Sequence, residues 1–350
     1  MYKSFRFWIV LLFSITQLSF LPEISDFFYR QKSYTERLKY VRQHFQKGMV
    51  LPLFALEEDY NYRQALDEIS SLGVTSVSFF VTNYQEDIRS NTIYLNTRAS
   101  EPTQLADIIN YAHSRGLSVF LFPTLHIQHL GNKEWRGVLQ PKDLEQWWGN
   151  YFHMIRYYLG IARYLNVEMF SIGSELCANE QDYEHWSKII RYCRKNYHGI
   201  LTYSANWDHY QNIPFVKDLD YFGMNAYFGL TEKNDPTLPE LLKAWVPAKA
   251  RIEQAYKEYG KPILFTEIGY PSVDGTAAKP WNYFSTSKID LDEQALCYQA
   301  FVDTWDPPPV FLHGVYFYNW WGGGGIGDRD YTPRDKPAED VLRKWYTSLR

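Results

Sequence analysis

The chain has 350 residues, 45% of them hydrophobic, so it can bury one sizeable core within the length of a single α/β barrel. Its 36 basic and 40 acidic residues are well mixed and leave a net charge of −4, which offers no basic face for phosphates and argues against a nucleic-acid partner. The three cysteines are too few and too scattered for a disulfide scaffold or a zinc site.

The first residues have the features of an export signal. Lys3 and Arg6 precede an apolar run from Phe7 to Leu21. The run is shorter than the ~20 residues that span a bilayer comfortably, and no clear cleavage site follows it. Residues 1–21 are therefore interpreted as a signal peptide or a membrane anchor. In either case the domain is expected outside the cytoplasm, as a secreted, periplasmic or membrane-anchored protein.

Residues 22–46 form a charged and aromatic extension before the main domain, residues 47–350. The apolar residues of the extension fall roughly at helical spacing. They predict a helix that covers the base of the domain or forms a stalk beside the membrane.

From Gly48 onward, apolar runs typical of buried strands alternate with amphipathic windows typical of helices. The eight predicted strands are Met49–Ala55, Val74–Val81, Leu117–Thr124, Val167–Ile172, Ile200–Ala205, Tyr221–Asn225, Ile263–Thr266 and Val315–Asn319. The predicted helices are Tyr62–Leu72, Thr103–Arg115, Lys142–Tyr164, Asp182–Tyr197, Leu238–Tyr259, Leu291–Trp305 and Ala338–Leu349. Three helices end in a glycine directly before a strand, at Gly73, Gly116 and Gly260. The repeated βα units predict a single-domain (β/α)8 TIM barrel.

Two of the predicted strands run directly into a glutamate. Strand seven, in KPILFTEIGYP, leads to Glu267, and strand four, in EMFSIGSE, leads to Glu175. All strands of such a barrel end at one rim, so the two carboxyls can face each other across a pocket. Cleavage of a glycosidic bond with retention needs such a pair, with carboxyl groups about 5–5.5 Å apart. A rim salt bridge is the alternative for either glutamate alone.

The sequence around these glutamates resembles strands four and seven of the clan A glycoside hydrolases. More narrowly, the chain is similar to the family 113 β-mannanases over most of residues 48–350. The motifs that carry the resemblance are SIGSELCANE, ILFTEIGYPS, WRGVLQPKDLEQWW, LTYSANWDHY, FGMNAYFGLT, YNWWGGGG and DRDYTPRDKPAED. The resemblance implies retaining hydrolysis of a β-linked polysaccharide, with β-1,4-mannan as the expected substrate.

The resemblance also assigns roles to single residues. It implies that Glu175 is the acid/base, Glu267 the nucleophile, and Trp320 the aromatic floor under the sugar at the cleavage point. Tyr227 is placed to hydrogen-bond the nucleophile. Many clan members have Asn before the acid/base, where it contacts the sugar 2-hydroxyl, but this chain has Ser174. Because the serine hydroxyl is shorter, we expect Asn206 or Asn225 to contact the sugar 2-hydroxyl instead.

Further substrate-binding candidates lie in the rim loops. They are Trp135, Arg136, Trp207 and Trp281. Aromatic faces stack on sugar rings, although each of these residues is equally consistent with packing. The glycine-rich Gly322–Gly327 lacks the Lys-Ser/Thr of a phosphate loop, so we interpret it as a turn. We expect no metal and no cofactor.

The sequence therefore predicts a monomeric, exported retaining glycosidase of the endo-β-1,4-mannanase type that acts on polysaccharide or oligosaccharides. Two alternatives stay open. The first is a clan A hydrolase of another β-linked glycan, such as glucan, galactan or an amino-sugar polymer, because fold and catalytic pair do not fix the sugar. The second is an inactive glycan-binding protein, which the presence of both glutamates disfavours.

Overall fold

The computed structural model describes residues 34–54, 60–95 and 102–348. Eight parallel strands close into one barrel in sequence order, with β8 paired back onto β1. The strands are β1 (Gln46–Pro52), β2 (Ser76–Gln85), β3 (Ser118–Ile127), β4 (Met169–Ser174), β5 (Ile200–Asn206), β6 (Phe222–Asn225), β7 (Ile263–Ile268) and β8 (Leu312–Phe317). The predicted TIM barrel is confirmed.

Helices surround the barrel. They are α1 (residues 34–43), α2 (Tyr62–Ser71), α3 (Pro102–Ser114), α4 (Leu144–Tyr164), α5 (Tyr183–Asn196), α6 (Leu238–Tyr259), α7 (Leu291–Trp305) and α8 (Pro337–Ser348). The short link from β5 to β6 carries one 3-10 turn, Val216–Asp218. Gly73, Gly116 and Gly260 have φ of 88°, 76° and 62°, the left-handed conformation that ends a helix and turns the chain into the next strand.

All eight strands and all seven barrel helices overlap the ranges that the sequence predicts, with bounds that differ by up to four residues. Strand β2 continues to Gln85 and β3 to Ile127, because the two strands keep pairing through polar residues, with Tyr84 opposite His126. Asn83 and Gln85 are 0% exposed, so these strand ends are buried but polar, and an apolar run ends before they do.

The core has two layers that follow from the alternation of side chains along each strand. One layer lies between the barrel and the helices. The other fills the barrel interior, as expected for a barrel of eight strands. The interior layer consists of Val41, Val50, Phe80, Phe120, Phe122, Met169, Ile200, Tyr221, Leu264 and Tyr316.

Helix α1 covers the base of the barrel, at the N-terminal ends of the strands. Its Val41 is 1% exposed and belongs to the interior layer. Arg37 forms an ion pair of 2.5 Å with Glu168, which is fully buried just before β4. Glu168 also accepts hydrogen bonds from the backbone N–H of Val119 at 2.8 Å and contacts His113 at 3.2 Å. A buried carboxylate needs such partners, so this cluster anchors α1 to the barrel.

The predicted signal or anchor, residues 1–21, lies outside the described residues. Among the helices that the structure describes, none combines the length and the apolar character needed to cross a membrane. The site described next lies at the opposite end of the barrel from α1.

Candidate active site

Glu175 and Glu267 lie at the same rim of the barrel, at the C-terminal ends of β4 and β7. They are 7% and 5% exposed. The backbone N–H of Glu175 donates to the carbonyl oxygen of Ser204 on β5 at 2.9 Å. Glu175 has φ of 54°, an unfavourable conformation for a residue with a side chain. Such strain is concentrated at functional sites, where the surrounding structure fixes a side chain in place.

The two carboxyls are electrostatically linked. Burial and then the Glu175 carboxylate raise the pKa of Glu267 to about 8, although Arg136, Tyr227 and Asn225 act to lower it. Two carboxylates in one water-poor pocket cannot both ionise easily. Below a pH of about 8, the pocket therefore retains a proton on this pair of carboxyls.

Arg136 interacts electrostatically with both glutamates. Its Nη2 donates to Oε2 of Glu175 at 2.5 Å. Burial acts to lower the pKa of Arg136, but Glu175 and Glu267 outweigh it and hold that pKa above its ordinary value. The Nε atom of Arg136 is buried and has no hydrogen-bond partner among the described residues. The guanidinium therefore retains one unused donor at the pocket.

Tyr227 holds one oxygen of Glu267. Its hydroxyl donates to Oε2 of Glu267 at 2.9 Å. The other oxygen, Oε1, is buried and has no hydrogen-bond partner in the described part of the chain. Burial and then the Glu267 charge raise the pKa of Tyr227 well above its usual value, so the phenol stays protonated and remains a donor. One carboxylate oxygen is thus fixed, and the other is available to a ligand.

Asn225, at the end of β6, ties the strands together beneath the pocket. Its Nδ2 donates to the hydroxyl oxygen of Ser174 at 3.2 Å, and its Oδ1 accepts from the hydroxyl of Thr266 at 2.9 Å. Ser174 and Thr266 directly precede the two glutamates in sequence. Asn225 is 0% exposed, so these contacts show it bracing the pair, and its contact to a sugar stays a prediction.

Tyr318 lies beside the carboxylates, and the role of Trp320 as the aromatic floor stays a prediction. Trp320 is 1% exposed, and its indole N–H donates to Oε2 of Glu68 on α2 at 3.0 Å. Tyr318 is only partly buried, and its ring centroid lies 6.4 Å from that of Tyr227. Burial and then Glu267 raise the pKa of the Tyr318 phenol. Tyr318 therefore supplies an aromatic surface next to Glu267.

The rim carries a stacked pair of tryptophans. Trp207, after β5, and Trp281, after β7, have ring centroids 5.1 Å apart and an interplanar angle of 19°. The side chain of Trp281 is 41% exposed. Asn206 is 9% exposed and donates from Nδ2 to Oδ1 of Asp208 at 2.8 Å, which fixes its amide at the base of this loop. The pair presents a flat apolar surface to solvent.

Trp135 lies in the loop after β3, and its indole packs against Gly137 in the same loop. A Cβ at position 137 would lie 2.3 Å from the indole, so a larger residue there would displace the Trp135 ring. Trp135 is therefore a packing residue for the turn that holds Arg136, and its contact to substrate stays a prediction.

The glycine-rich stretch after β8 forms a structural turn, as the sequence indicates. Gly322, Gly324 and Gly325 have positive φ. The backbone N–H of Gly325 donates to the carbonyl oxygen of Arg334 at 2.9 Å, and Nη1 of Arg334 donates to the carbonyl oxygen of Gly322 at 2.9 Å. Backbone groups of the glycine-rich stretch therefore form hydrogen bonds with Arg334, further along the same loop.

Sequence reasoning missed two features of this rim. One is Tyr318, which a pattern of aromatic residues after β8 could not separate from Trp320. The other is a cluster of Cys177, Glu180 and His209, whose ligand atoms all lie within 4.8 Å of one another. Because these residues come from two separate loops, no sequence spacing connects them.

Comparison with known proteins supports the resemblance seen in the sequence. The profile of Glycoside Hydrolase Family 113 matches residues 55–325. No curated protein sequence matches the chain significantly.

Solved structures match the chain over most of its length. The GH113 β-mannanase AaManA from Alicyclobacillus acidocaldarius is similar with a TM-score of 0.79 and 23% identity, covering 89% of this chain and 99% of that one. A GH113 β-1,4-mannanase matches with a TM-score of 0.77 and 25% identity, covering 87% and 100%. A fungal β-1,4-galactanase shares the fold at 12% identity and a TM-score of 0.53, covering 87% and 100%.

Proposed function

The chain belongs to glycoside hydrolase family 113, and on this premise we propose that it hydrolyses β-1,4-mannosidic linkages with retention of configuration. The observation that carries the proposal is the buried pair of Glu175 and Glu267, with Tyr227 on one oxygen of Glu267 and the other oxygen unpartnered. A carboxylate with one oxygen fixed and one free is suited to attack a sugar carbon.

In the first step, Oε1 of Glu267 attacks the anomeric carbon while Glu175 donates its proton to the leaving glycosidic oxygen. The bond from the anomeric carbon to that oxygen breaks, and a covalent glycosyl-Glu267 ester forms. Tyr227 stabilises the carboxylate before attack through its 2.9 Å hydrogen bond. In the second step, ionised Glu175 takes a proton from water, and the hydroxide oxygen replaces Glu267 at the anomeric carbon.

The chemistry requires the proton of the pair to sit on Glu175. Arg136 contacts Glu175 at 2.5 Å, while burial and then Glu175 raise the pKa of Glu267 to about 8, so Glu267 retains a proton at neutral pH. We infer that a bound sugar draws the guanidinium from Glu175, with the unpartnered Nε of Arg136 as a further donor to sugar hydroxyls. The proton can then pass to Glu175, and Glu267 becomes the nucleophile.

Aromatic surfaces support a carbohydrate substrate. Tyr318 lies beside Glu267 at the cleavage point, and the stacked Trp207 and Trp281 extend a flat surface along the rim. C–H faces of pyranose rings pack on such surfaces, while hydroxyl groups find nearby donors and acceptors.

A panel of polysaccharides with product analysis tests the proposal. We expect the protein to release manno-oligosaccharides from β-1,4-mannan, and both Glu175→Gln and Glu267→Gln to remove almost all of this activity. Activity confined to glucan, galactan or an amino-sugar polymer would show that the protein is a hydrolase but would overturn mannan as its substrate. Binding without release of reducing ends would instead identify an inactive glycan-binding protein.

We also propose that the catalytic domain acts outside the cytoplasm. The support is the basic and apolar character of residues 1–21. Fractionation of the producing cells tests this, and N-terminal sequencing of the exported protein distinguishes a cleaved signal from a retained anchor. Recovery of the full-length protein from the cytoplasm alone would contradict the proposal.

A further inference from the structure

We propose that Cys177, Glu180 and His209 form a binding site for one zinc ion at the edge of the catalytic rim. Their ligand atoms, one sulfur, one oxygen and one nitrogen, all lie within 4.8 Å of one another. Neighbouring ligands of a tetrahedral zinc ion lie about 3.3–3.8 Å apart, given zinc–ligand distances of about 2.0–2.3 Å. Small side-chain rotations therefore suffice to close the three residues around one ion.

Hydrogen bonds from neighbouring side chains orient the buried carboxyl group of Glu180 for this role. It is 0% exposed, and its Oε1 accepts a hydrogen bond from the hydroxyl of Tyr203 at 2.7 Å. Its Oε2 lies 2.8 Å from Nδ1 of His209. Tyr203 is itself fixed, because its hydroxyl accepts from the backbone N–H of Leu176 at 2.8 Å. Such an outer hydrogen bond orients a ligating carboxylate and leaves one oxygen for the metal.

The two loops that supply the ligands each contain a hydrogen-bonded turn, and the site is open to solvent at His209. Cys177 begins a 3-10 turn, Cys177–Asn179, directly after β4. His209 follows β5 in a tight turn, where its backbone N–H donates to the carbonyl oxygen of Asn206 at 3.0 Å. The side chain of His209 is 48% exposed, which gives the ion a path from solvent and leaves the fourth position to water.

The donor set selects the class of ion. A histidine that is hydrogen-bonded to a buried glutamate already satisfies that carboxyl, so these two residues alone do not indicate a metal. The thiol of Cys177 is the third donor, and sulfur with imidazole and carboxylate suits zinc and excludes calcium or magnesium, which prefer oxygen ligands. We therefore expect Zn²⁺ to bind and Ca²⁺ not to compete.

Binding would connect the two loops that border the pocket. Cys177 lies two residues after Glu175, and His209 lies two residues after Trp207. An ion held between them would link the loop of one catalytic glutamate to the loop of the stacked tryptophan. Because the ion binds only the folded chain in this geometry, it should raise the melting temperature of the protein.

Titration of tag-free, metal-depleted protein with Zn²⁺ against a competing chelator tests the site. We expect one ion per chain, a rise in melting temperature, and at least tenfold weaker binding in Cys177→Ser and in His209→Ala. The matched control is His153→Ala, an exposed histidine on α4, which should bind like the wild type. Melting curves without metal establish that each variant is folded.

Cobalt provides a readout that a purely structural histidine–glutamate pair would not give. Co²⁺ bound to a thiolate shows a sulfur-to-metal charge-transfer absorption. We expect this absorption in the wild type and its loss in Cys177→Ser. Absence of binding, or equal binding in both ligand variants, would overturn the site whether or not the enzyme hydrolyses mannan. Persistence of the absorption in Cys177→Ser would show that Cys177 is not a ligand and would overturn the site as proposed.

Discussion

Nη2 of Arg136 lies 2.5 Å from Oε2 of Glu175, so a guanidinium is paired with the carboxyl that we propose as the acid/base. The same guanidinium lowers the pKa of Glu267, which burial and Glu175 raise to about 8. Arg136 therefore interacts with both members of the proposed catalytic pair.

Replacement of Arg136 by Met should move the acid limb of the pH profile of kcat/KM to higher pH. Without the positive charge, the pKa of Glu267 rises further, so the nucleophile ionises only at higher pH. An opposite charge at this distance lowers a carboxyl pKa by about one unit or more, so we expect a displacement of about that size. Arg136→Lys keeps a positive charge, so its acid limb should be displaced less than that of Arg136→Met.

The matched control for this experiment is Arg63→Met, in an exposed ion pair with Asp107. Its profile should coincide with that of the wild type. A profile of Arg136→Met that also coincides with the wild type would contradict the electrostatic role of Arg136.

Replacement of Tyr227 by Phe should lower kcat more than it raises KM. The change removes the hydroxyl that donates to Glu267 at 2.9 Å, and a hydrogen bond to a charged group contributes about 1.5–3 kcal/mol. This corresponds to a loss of about 10- to 150-fold in kcat/KM. The acid limb should also move to higher pH, because the hydroxyl lowers the pKa of Glu267. Steady-state kinetics across pH measures both effects, and an unchanged kcat would contradict the assignment.

Replacement of Glu267 by Gln should stabilise the fold, and more so at high pH. The pKa of Glu267 is about 8 in the folded chain and about 4.3 in an unfolded chain. Between these values the folded state binds the extra proton, so wild-type stability contributed by this group falls as pH rises from about 4.3 to 8. Gln cannot ionise, so the variant does not lose this stability as the pH rises. Melting temperatures at pH 5 and pH 9 should show a gap that widens with pH, and a constant gap would contradict the raised pKa.

Replacement of Trp281 by Ala should raise KM for long oligosaccharides with little change in kcat. Trp281 stacks on Trp207 and is 41% exposed, so its removal takes away binding surface without contacting the glutamates. Loss of a stacking face costs about 1 kcal/mol, or about fivefold in KM. Tyr164→Ala, at an 83% exposed position on α4, is the control and should have no effect. An equal loss for short and long substrates would place Trp281 outside an extended binding surface.

Much of the fold can be read from the sequence, because buried parallel strands are apolar runs and helices show their own period. Glu175 and Glu267 can be found in the same way, since each directly follows an apolar run and all parallel strands end at one rim. Family resemblance adds Tyr227, whose contact with Glu267 the structure shows at 2.9 Å.

Side-chain direction after a strand could not be predicted in this way. Tyr318 and Trp320 are two residues apart, yet one faces Glu267 and the other faces Glu68 on α2. Their sequence pattern is equally compatible with either choice. The partners of Arg136 and of Cys177 were hidden for a related reason, since each contact joins loops from different strands. The distance along the chain between Arg136 and Glu175 is 39 residues, and only the closed barrel brings them together.

Trapping the covalent intermediate tests the central proposal most directly. An activated 2-deoxy-2-fluoro-β-mannoside should inactivate the enzyme by forming a stable ester, because fluorine slows the hydrolysis of the glycosyl-enzyme. Mass spectrometry of the digested protein should then find one added fluoromannosyl group on the peptide that contains Glu267. An adduct on another residue, or continued mannan hydrolysis with products of inverted configuration and no adduct, would contradict Glu267 as the nucleophile of a retaining mannanase.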